Sequence, residues 1–498
     1  MAVQPVRLWY PVFGGYNEQQ IETLRQDSRL LELSQSQDVI SDPLGSLVTR
    51  PGFSAVRASA ISGTPTITGM AHMQDLADEF ILAGAGTFYR DSANPPGAIA
   101  GGTSMTSSAT NLVRFATFND LLIAASQSRD LPQTFNSSVS RADLGGTPAR
   151  GLDVKAFARR VCMFSPIYSS TTYRSLMAFT SANDNQAAWT APVTINFLNF
   201  GRTGTDVNLL GGEHYKDRLM AFTEDRLFPI YATPSALLPM AFQDSLFSED
   251  GGGPPVIHAV VPANERLYWI SRNRDVKALY GTTVESIGYP VQPFLRGLTD
   301  AQLTNLVGGW EPKYRMVVWA MADAASSTHN VVLALHVDTK QFHLHTLSRT
   351  AFCNRIVSGQ QRLIGGGLAG LFYNEYDTSL TGNADNAATA IDADIMTPRL
   401  HLGLPDTTKK VPYVAVQFDP IGTEAVTVQY QLDDATSWSS FAESPFTMSG
   451  TDKRTARFSI PAPFQDIRLR FRDANSGERY RVIRFGFPKP IALTVGRN

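Results

Sequence analysis

Short apolar runs recur through the middle of the chain and predict a series of β-hairpins. In each unit an apolar run is followed by a small turn, and a second run then ends in an aromatic residue. The first runs begin at Phe80, Leu121, Leu219, Leu267, Met316 and Leu363. Residues 160–164 and 175–179 supply one more unit in the gap after Leu121. The units start roughly 40 to 50 residues apart, a spacing typical of the four-stranded blades of a β-propeller.

The propeller is predicted to occupy residues 60–394, which is room for about six or seven blades. A series of irregular β-sandwiches would also repeat short strands, but each unit here keeps the same internal order, which favours the propeller.

Helical periodicity is weak. The best window covers residues 17–33, and Thr299 with Asp300 predicts a capped turn that ends at Leu303.

After residue 395 the pattern changes to strict alternation of apolar and polar positions. This alternation predicts an antiparallel β-sandwich over residues 395–498, so the fold class is all-β, with residues 1–59 as an extended arm on a propeller core. One run separates three inward apolar residues from three outward arginines: Ile467, Leu469 and Phe471 against Arg468, Arg470 and Arg472. The arginines could bind phosphate or the acidic face of a partner, although a solvated face is the favoured interpretation.

Composition indicates a folded protein of more than one domain. The chain has 498 residues, of which 43% are hydrophobic and 18% charged, so two or three domains with substantial cores are expected. Lys and Arg number 43 against 45 Asp and Glu, a formal net charge of -2. This balance argues against a broad nucleic-acid-gripping surface, but it is compatible with a channel through which DNA passes.

The two cysteines, Cys162 and Cys353, are too few for a disulfide scaffold or for a zinc site with four cysteine ligands. A reducing compartment is therefore expected. The first residues lack a basic segment followed by an apolar run, and no apolar stretch approaches the roughly 20 residues needed to span a bilayer. The sequence predicts a soluble protein made in the cytosol, without a membrane anchor.

Catalytic and metal-binding patterns are weak. No phosphate-binding loop or nucleophile elbow occurs. His343 and His345 would share one face of a strand, but no acidic or cysteine partner lies at a ligand spacing, so a surface face is favoured over a metal pair. No metal and no cofactor are expected.

A propeller glycosidase would need paired carboxylates. Asp250, Asp338 and Asp377 are candidates, but the Ser-x-Asp-x-Gly-x-x-Trp repeat of sialidase-like propellers is absent. We therefore expect that the chain is not an enzyme.

The first sixty residues carry the most specific pattern. A turn at Gly14 and Gly15 precedes Gln19 and Gln20, and Gly45 lies in a second turn before Arg50, Pro51 and Gly52. In physical terms, Arg50 is a long donor that could anchor the segment to a carboxylate or carbonyl group before Pro51 ends the strand.

This segment resembles the amino-terminal part of the tail-tube and nozzle proteins of short-tailed bacteriophages. Those proteins open with a similar Gly-Gly turn, and a Gly-Leu-x-x-Arg-Pro segment leads into their first propeller strands; here Ser46 separates Gly45 from Leu47. The late run that contains Arg470 and Arg472 is also similar to the final domain of such virion proteins. Together the similar segments cover about a third of the chain.

The resemblance implies a mechanical function in the virion tail. Such nozzles form a homo-oligomeric ring, usually of six copies, below a tail adaptor, with fibres or spikes at the side. The ring extends the DNA channel, retains the packaged genome and opens for ejection, and double-stranded DNA passes without sequence recognition. Assembly would take place in the cytoplasm of the bacterial host. Exposed edge strands and residues 180–207 and 251–261 are candidate interface material.

Three alternatives remain at this point. A tail hub or collar would use similar domains. A propeller glycoside hydrolase would place carboxylate pairs in its bore, and a glycan-binding tail module would carry an aromatic patch on a rim. A nozzle would show an axial channel wide enough for duplex DNA.

Overall fold

The computed structural model describes residues 6–11, 33–41, 46–73, 78–190, 192–201, 207–235, 238–243, 245–357, 359–377, 384–386, 389–404, 407–420, 425–447, 454–473 and 479–493. The chain is a seven-bladed β-propeller followed by a two-sheet antiparallel sandwich. The predicted fold class, an all-β protein with a propeller core and a C-terminal sandwich, is confirmed.

Each blade is an antiparallel sheet of four main strands, which follow chain order in blades 1 to 6, and blade 4 has one short extra strand. The strands of blades 1 to 3 are Ile67–Met73, Glu79–Gly84, Thr87–Arg90 and Gly97–Ala98; Val113–Phe118, Leu121–Ser126, Gln133–Phe135 and Arg141–Asp143; and Asp153–Phe157, Arg160–Phe164, Leu176–Phe179 and Phe197–Asn199. Those of blades 4 and 5 are Leu209–Tyr215, Arg218–Thr223, Arg226–Ala232, Met240–Phe242 and Phe247–Ser248; and Val261–Ala263, Arg266–Ile270, Val276–Tyr280 and Thr283–Ser286. Those of blade 6 are Val307–Glu311, Met316–Met321, Val331–His336 and Gln341–His345, and blade 7 begins with Ala351–Val357, Gln360–Gly366 and Phe372–Asn374.

The hairpins predicted from the sequence are the second and third strands of the blades. In blades 1 to 6 these second strands are almost completely buried, because each packs between its sheet neighbours and the next blade. In blade 7 the first three residues of the second strand, 360–362, are exposed. The first strand of every blade contacts the first strands of the two neighbouring blades, and blade 7 contacts blade 1 in the same way. The first strands therefore surround the bore of a closed ring.

Blade 7 takes its fourth strand from the N-terminal region. Ser54–Ala55 pairs antiparallel with Phe372–Asn374, so a segment before the expected boundary at residue 60 belongs to the last blade. The ring is closed by strand pairing between its two ends.

The sandwich consists of two sheets packed around one core, which includes Val416, Phe418, Phe458, Phe471 and Phe485. One sheet contains Val39–Ser41, Leu47–Thr49, Tyr480–Pro488, Tyr413–Pro420 and Arg454–Ser459, with Val6–Pro11 paired to Tyr480–Pro488. The other contains Gln35–Gln37, Ala393–Met396, Ile467–Asp473, Ala425–Leu432 and Ser439–Ser440, with Phe446–Thr447 paired to Ala425–Leu432. Ile467, Leu469 and Phe471 are buried, as the alternation predicted.

Blade 6 and the sandwich share one continuous sheet. Gln37 pairs in parallel with Leu344 on the outer strand of blade 6, and Gln35–Gln37 also pairs with Ala393–Met396 of the sandwich. The outer edge of blade 6 is therefore covered by backbone pairing, and this pairing links the two domains.

Regular structure outside these sheets is short. Three two-stranded ribbons are formed by Ile167–Tyr168 with Thr171–Thr172, Ala384–Asp385 with Thr389–Ala390, and Lys409–Lys410 with Ile491–Ala492. The 3-10 helices are Ile257–Ala259 and Tyr289–Val291, and the α-helices are Gln292–Arg296 and Asp300–Leu303.

The short helix Asp300–Leu303 bears out the predicted cap. Thr299 and Gln302 form a reciprocal capping box at its start. Of the weaker helix predicted over residues 17–33, all but Leu33 lies outside the described residues. No helix among the described residues has the length and apolar character to cross a membrane.

Residues 251–261, expected to be interface material, are mostly buried between blades 4 and 5. The indole N–H of Trp269 donates to the Gly252 carbonyl at 2.9 Å, and that of Trp319 donates to the Ala259 carbonyl at 2.8 Å. The segment fills the interior, so the expectation that it is an exposed contact loop is wrong.

Candidate functional site

The signature positions of the N-terminal segment divide into two groups. Gly14, Gly15, Gln19, Gln20 and Gly45 lie outside the described residues. Arg50, Pro51 and Gly52 are described and buried. They belong to residues 46–56, which we call the strap because one end pairs with the sandwich and the other with blade 7.

Arg50 is the buried anchor of the strap. Its guanidinium donates to Asp38 at 2.6 Å and, through two nitrogens, to both oxygens of Asp385 at 2.8 and 2.6 Å. The Arg50 and Asp38 side chains are each only 2% exposed. Burial opposes ionisation of Asp38, but Arg50, assisted by His345 and the Thr346 N–H, lowers its pKa below the ordinary value. The expected anchoring role of Arg50 is thus met by two carboxylates, which we call the Arg50 latch.

The residues after Arg50 attach the strap to blade 7. The Gly52 carbonyl accepts from the Asp377 N–H at 2.7 Å, and the Phe53 carbonyl accepts from the Asn386 N–H at 2.7 Å. The guanidinium of Arg349 lies 4.2 Å from the ring centres of both Phe53 and Tyr373. These contacts hold the closing strand in place at the seam of the propeller.

The two histidines considered as metal ligands are buried and hydrogen-bonded on both ring nitrogens. His343 contacts the hydroxyls of Ser36 at 2.7 Å and Ser41 at 2.8 Å. His345 contacts the Tyr376 hydroxyl at 2.9 Å and the Val39 carbonyl at 3.0 Å. Burial lowers the pKa of both rings, that of His345 to about 4. The favoured interpretation as a surface face is wrong, because the N-terminal segment covers this strand.

The outward arginines of the sandwich are paired within the chain. Arg470 forms an ion pair with Asp394 at 2.6 Å, and Arg472 one with Asp392 at 2.5 Å. Arg468 donates to the Ser34 hydroxyl at 3.1 Å. Much of the positive charge of these three arginines is therefore compensated within the chain. A partner-binding role for them stays a prediction.

The bore of the propeller contains a cavity of about 380 Å³. It is lined by first strands of blades 1 to 4, 6 and 7 and by His258 from the segment between blades 4 and 5. Arg114, Lys155 and Glu213, from three successive blades, lie in its wall. A site of this size takes a small molecule and is far too narrow for duplex DNA.

An ion-paired row links these three blades across the cavity wall. Arg114 donates to Glu213 at 2.5 Å and to Asp153 at 3.3 Å, and the Lys155 ammonium contacts both Glu213 oxygens at 2.9 Å. Burial disfavours the charged form of Glu213, but the positive charges of Lys155 and Arg114 lower its pKa to about 2. The row combines two cations, Arg114 and Lys155, with two carboxylates, Asp153 and Glu213, so its formal charges balance.

A glycine lets the row pack closely. The N–H of Gly212 donates to Asp153 at 2.9 Å. At Gly211, where φ is +153°, a Cβ atom would lie 2.6 Å from the same carboxylate. The strand can therefore approach Asp153 only with glycine at this position.

No protein-family model matches the sequence, and no curated protein matches it. The chain is similar to solved structures at low identity. BamB from Moraxella catarrhalis aligns at 13% identity with a TM-score of 0.34, over 75% of this chain and 97% of that one. The extracellular domain of a hybrid two-component system from B. thetaiotaomicron aligns at 9% identity with a TM-score of 0.41, over 86% of this chain and 61% of that one. Raptor from Chaetomium thermophilum aligns at 12% identity with a TM-score of 0.41, over 66% of this chain and 29% of that one.

Among the described residues that line the bore cavity, Glu213 is the one carboxylate, so this lining does not contain the pair of carboxyl groups that a glycosidase uses. Such an enzyme needs one protonated carboxylic acid beside a carboxylate, and Glu213, with a pKa of about 2, has no proton to donate near neutral pH. Asp250, Asp338 and Asp377 do not line the cavity. Asp338 pairs with Arg315 near the surface, and Asp377 accepts from Ser54 at 2.5 Å beside the strap.

Sequence reasoning missed the ion-paired row because it located the second and third strands of each blade but not the first. Arg114, Lys155 and Glu213 interrupt the apolar patterns of their strands, which hides those strands from a search for hydrophobic runs. The position of these residues along the chain is a signal that could have found them. Each charged residue lies on the short strand that immediately precedes an identified hairpin.

Proposed function

We propose that this chain is a structural protein of a short-tailed bacteriophage tail, which assembles into a nozzle ring that extends the DNA channel, retains the genome and opens for ejection. The proposal rests on the resemblance of residues 37–53. The observation that supports it best is that Arg50 binds Asp38 and Asp385 and Gly52 bonds to Asp377, while the two ends of the strap pair with the sandwich and with blade 7. The part of the described chain that carries the resemblance therefore also carries one of the attachments between the two domains.

A rigid link between the domains suits a load-bearing ring. The sheet shared by blade 6 and the sandwich, together with the buried latch, resists rotation of one domain against the other. Such coupling lets force applied to the sandwich reach the propeller without passing through a flexible linker.

In this proposal DNA passes between subunits and not through a propeller. The cavity in each bore holds only about 380 Å³, and the ion-paired row borders it. The duplex channel would therefore be the lumen of the ring, whose wall is built from the outer surfaces of the copies. A net charge of -2 favours passage of the duplex without binding to the channel wall, since a strongly basic wall would bind the phosphates through counterion release.

The ring contacts would involve exposed blade edges and the loop in residues 180–201. Ile195 in this loop is 72% exposed, and Tyr280 and Tyr289, on either side of the edge strand Thr283–Ser286, are 52% and 56% exposed. Large apolar side chains at an edge favour burial against a neighbouring copy.

The test is assembly of the purified full chain, alone and with the adaptor ring of its phage. Light scattering gives the mass, and electron microscopy of the same peak gives the shape. We expect a closed ring whose central hole admits a DNA duplex. A chain that stays monomeric with the adaptor present would contradict the proposal and favour a hydrolase or glycan-binding tail module.

A further inference from the structure

The cavity in the bore contains a buried side chain without a hydrogen-bond partner. His258 is only 6% exposed, and neither of its ring nitrogens has a partner among the described residues. Burial first, and then the positive charges of Arg114 and Lys155, lower the pKa of His258 well below its ordinary value, and a poorly oriented hydrogen-bond contact with the Val113 backbone raises it only in part. The ring is neutral, so it offers one donor and one acceptor to a molecule in the cavity.

The charged groups in the wall favour an uncharged ligand. Arg114 and Lys155 are already paired with Asp153 and Glu213 at 2.5 to 3.3 Å. An added anion would have to compete with these carboxylates, and an added cation would have to compete with Arg114 and Lys155. A neutral ligand with hydroxyl groups can instead donate to the carboxylates and accept from the cations while their pairing stays intact.

The cavity also offers aromatic surface. Phe115 and Phe352 line it and are only partly buried. Its volume of about 380 Å³ is at the low end of the range for small-molecule sites, roughly 300 to 1,000 Å³. An apolar ligand would leave His258 unpaired, whereas a small ligand with both hydroxyl groups and a C–H face matches both parts of the wall.

We propose that the bore cavity binds one neutral sugar residue. Its hydroxyls pair with His258 and with the row formed by Arg114, Lys155 and Glu213, and its C–H face packs on Phe115 or Phe352. The site is independent of ring assembly, because the residues that form it all come from one copy. It gives the tail protein a carbohydrate-binding function in addition to its proposed mechanical one.

The experiment titrates the purified full chain with glucose, galactose, mannose and N-acetylglucosamine, using calorimetry and NMR of 15N-labelled histidine. We expect at least one sugar to bind with a dissociation constant on the order of 1 mM and to shift the His258 ring signals. His258→Leu should weaken binding about tenfold or more, because hydroxyl partners are lost. His258→Gln, which keeps a donor and an acceptor, should retain more affinity than the leucine variant.

The matched control is His214→Gln, at an exposed histidine that lies beside Glu213 on the strand Leu209–Tyr215 but does not line the cavity. It should bind the sugar as the unchanged chain does. Inorganic phosphate serves as the anionic probe. The proposal is overturned if no sugar binds, if phosphate binds and sugars do not, or if sugar binding leaves the His258 signals unmoved. Should His258→Leu fail to fold, the NMR signals and the glutamine variant still decide the question.

Discussion

Removal of the Arg50 side-chain charge should loosen the seam of the propeller. In Arg50→Met, two carboxylates lose their shared partner in a buried site, where the Asp38 side chain is 2% and that of Asp385 12% exposed. Breaking a buried ion pair by removing one member costs about 3–5 kcal/mol, because a charge is left without compensation. Asp38 keeps the Thr346 N–H at 2.9 Å, which offsets only part of this loss.

Two measurements read the effect. Denaturant unfolding followed by fluorescence should give a free energy of unfolding lower by about 3–5 kcal/mol. Limited proteolysis should cut Arg50→Met within residues 46–56 before the propeller is degraded, because the strap loses its anchor. The triple variant Arg50→Met, Asp38→Asn, Asp385→Asn should recover part of the stability, since it no longer buries unpaired charges.

The control residue is Arg57, which lies seven positions after Arg50 and just beyond the strap. Arg57 pairs with Asp91, whose side chain is 7% exposed, but Arg57 itself is 37% exposed and Asp91 keeps the Phe80 N–H at 2.8 Å, so Arg57→Met should cost clearly less than Arg50→Met, about 1 kcal/mol. The reasoning is refuted if Arg50→Met and Arg57→Met lose similar, small amounts of stability and the strap resists protease equally in both.

Three further predictions concern other parts of the molecule. Burial raises the pKa of Glu311 to about 7 from its ordinary 4.5, so protonated Glu311 stabilises the folded chain fully below pH 4.5, and this stabilisation of about 3 kcal/mol is lost as the pH rises through 7. Glu311→Gln should therefore make the free energy of unfolding depend less on pH between pH 4.5 and 8. An unchanged pH dependence would show that Glu311 does not titrate in this range. Gly211→Ala should lower the free energy of unfolding by about 1–3 kcal/mol, because its Cβ would meet Asp153, whereas Gly97→Ala, with open space around it, should be nearly neutral; equal effects would contradict the packing argument. If the ring proposal holds, Ile195→Lys should reduce the ring fraction in light scattering without changing the unfolding midpoint, and an undiminished ring would exclude the loop from the interface.

The sequence was most informative where local patterns decide the structure. Runs such as Leu219 to Phe222 are apolar because second strands are buried on both faces, so the hairpins and the propeller followed from them. The alternation over Ile467–Asp473 likewise gave the inner and outer faces of the sandwich. The capping box at Thr299 needs only residues three apart, and it too was predictable.

The sequence was least informative where distant segments meet. Arg50 binds Asp385, 335 positions away, and His343 binds Ser36, 307 positions away, and no local pattern encodes such pairs. The sequence suggested a long loop over residues 251–261 as interface material, yet the Trp269 and Trp319 side chains hold this segment inside. The bore site was hidden for the same reason, because its charged members come from separate blades and are compatible with burial only when brought together.

The closing strand of the propeller cannot pair until residues synthesised much later have left the ribosome. Ser54 meets Asn374, 320 positions later, and Thr49 meets Tyr480, 431 positions later. At about 5–20 residues per second on the ribosome, the strap waits roughly 15–65 s for blade 7 and roughly 20–85 s for the sandwich strand. Throughout that interval a short strand with unpaired backbone groups and the aromatic side chain of Phe53 is available to other chains. A cell that makes many copies at once therefore has to keep nascent straps apart, and chaperone demand during synthesis should fall on the first sixty residues.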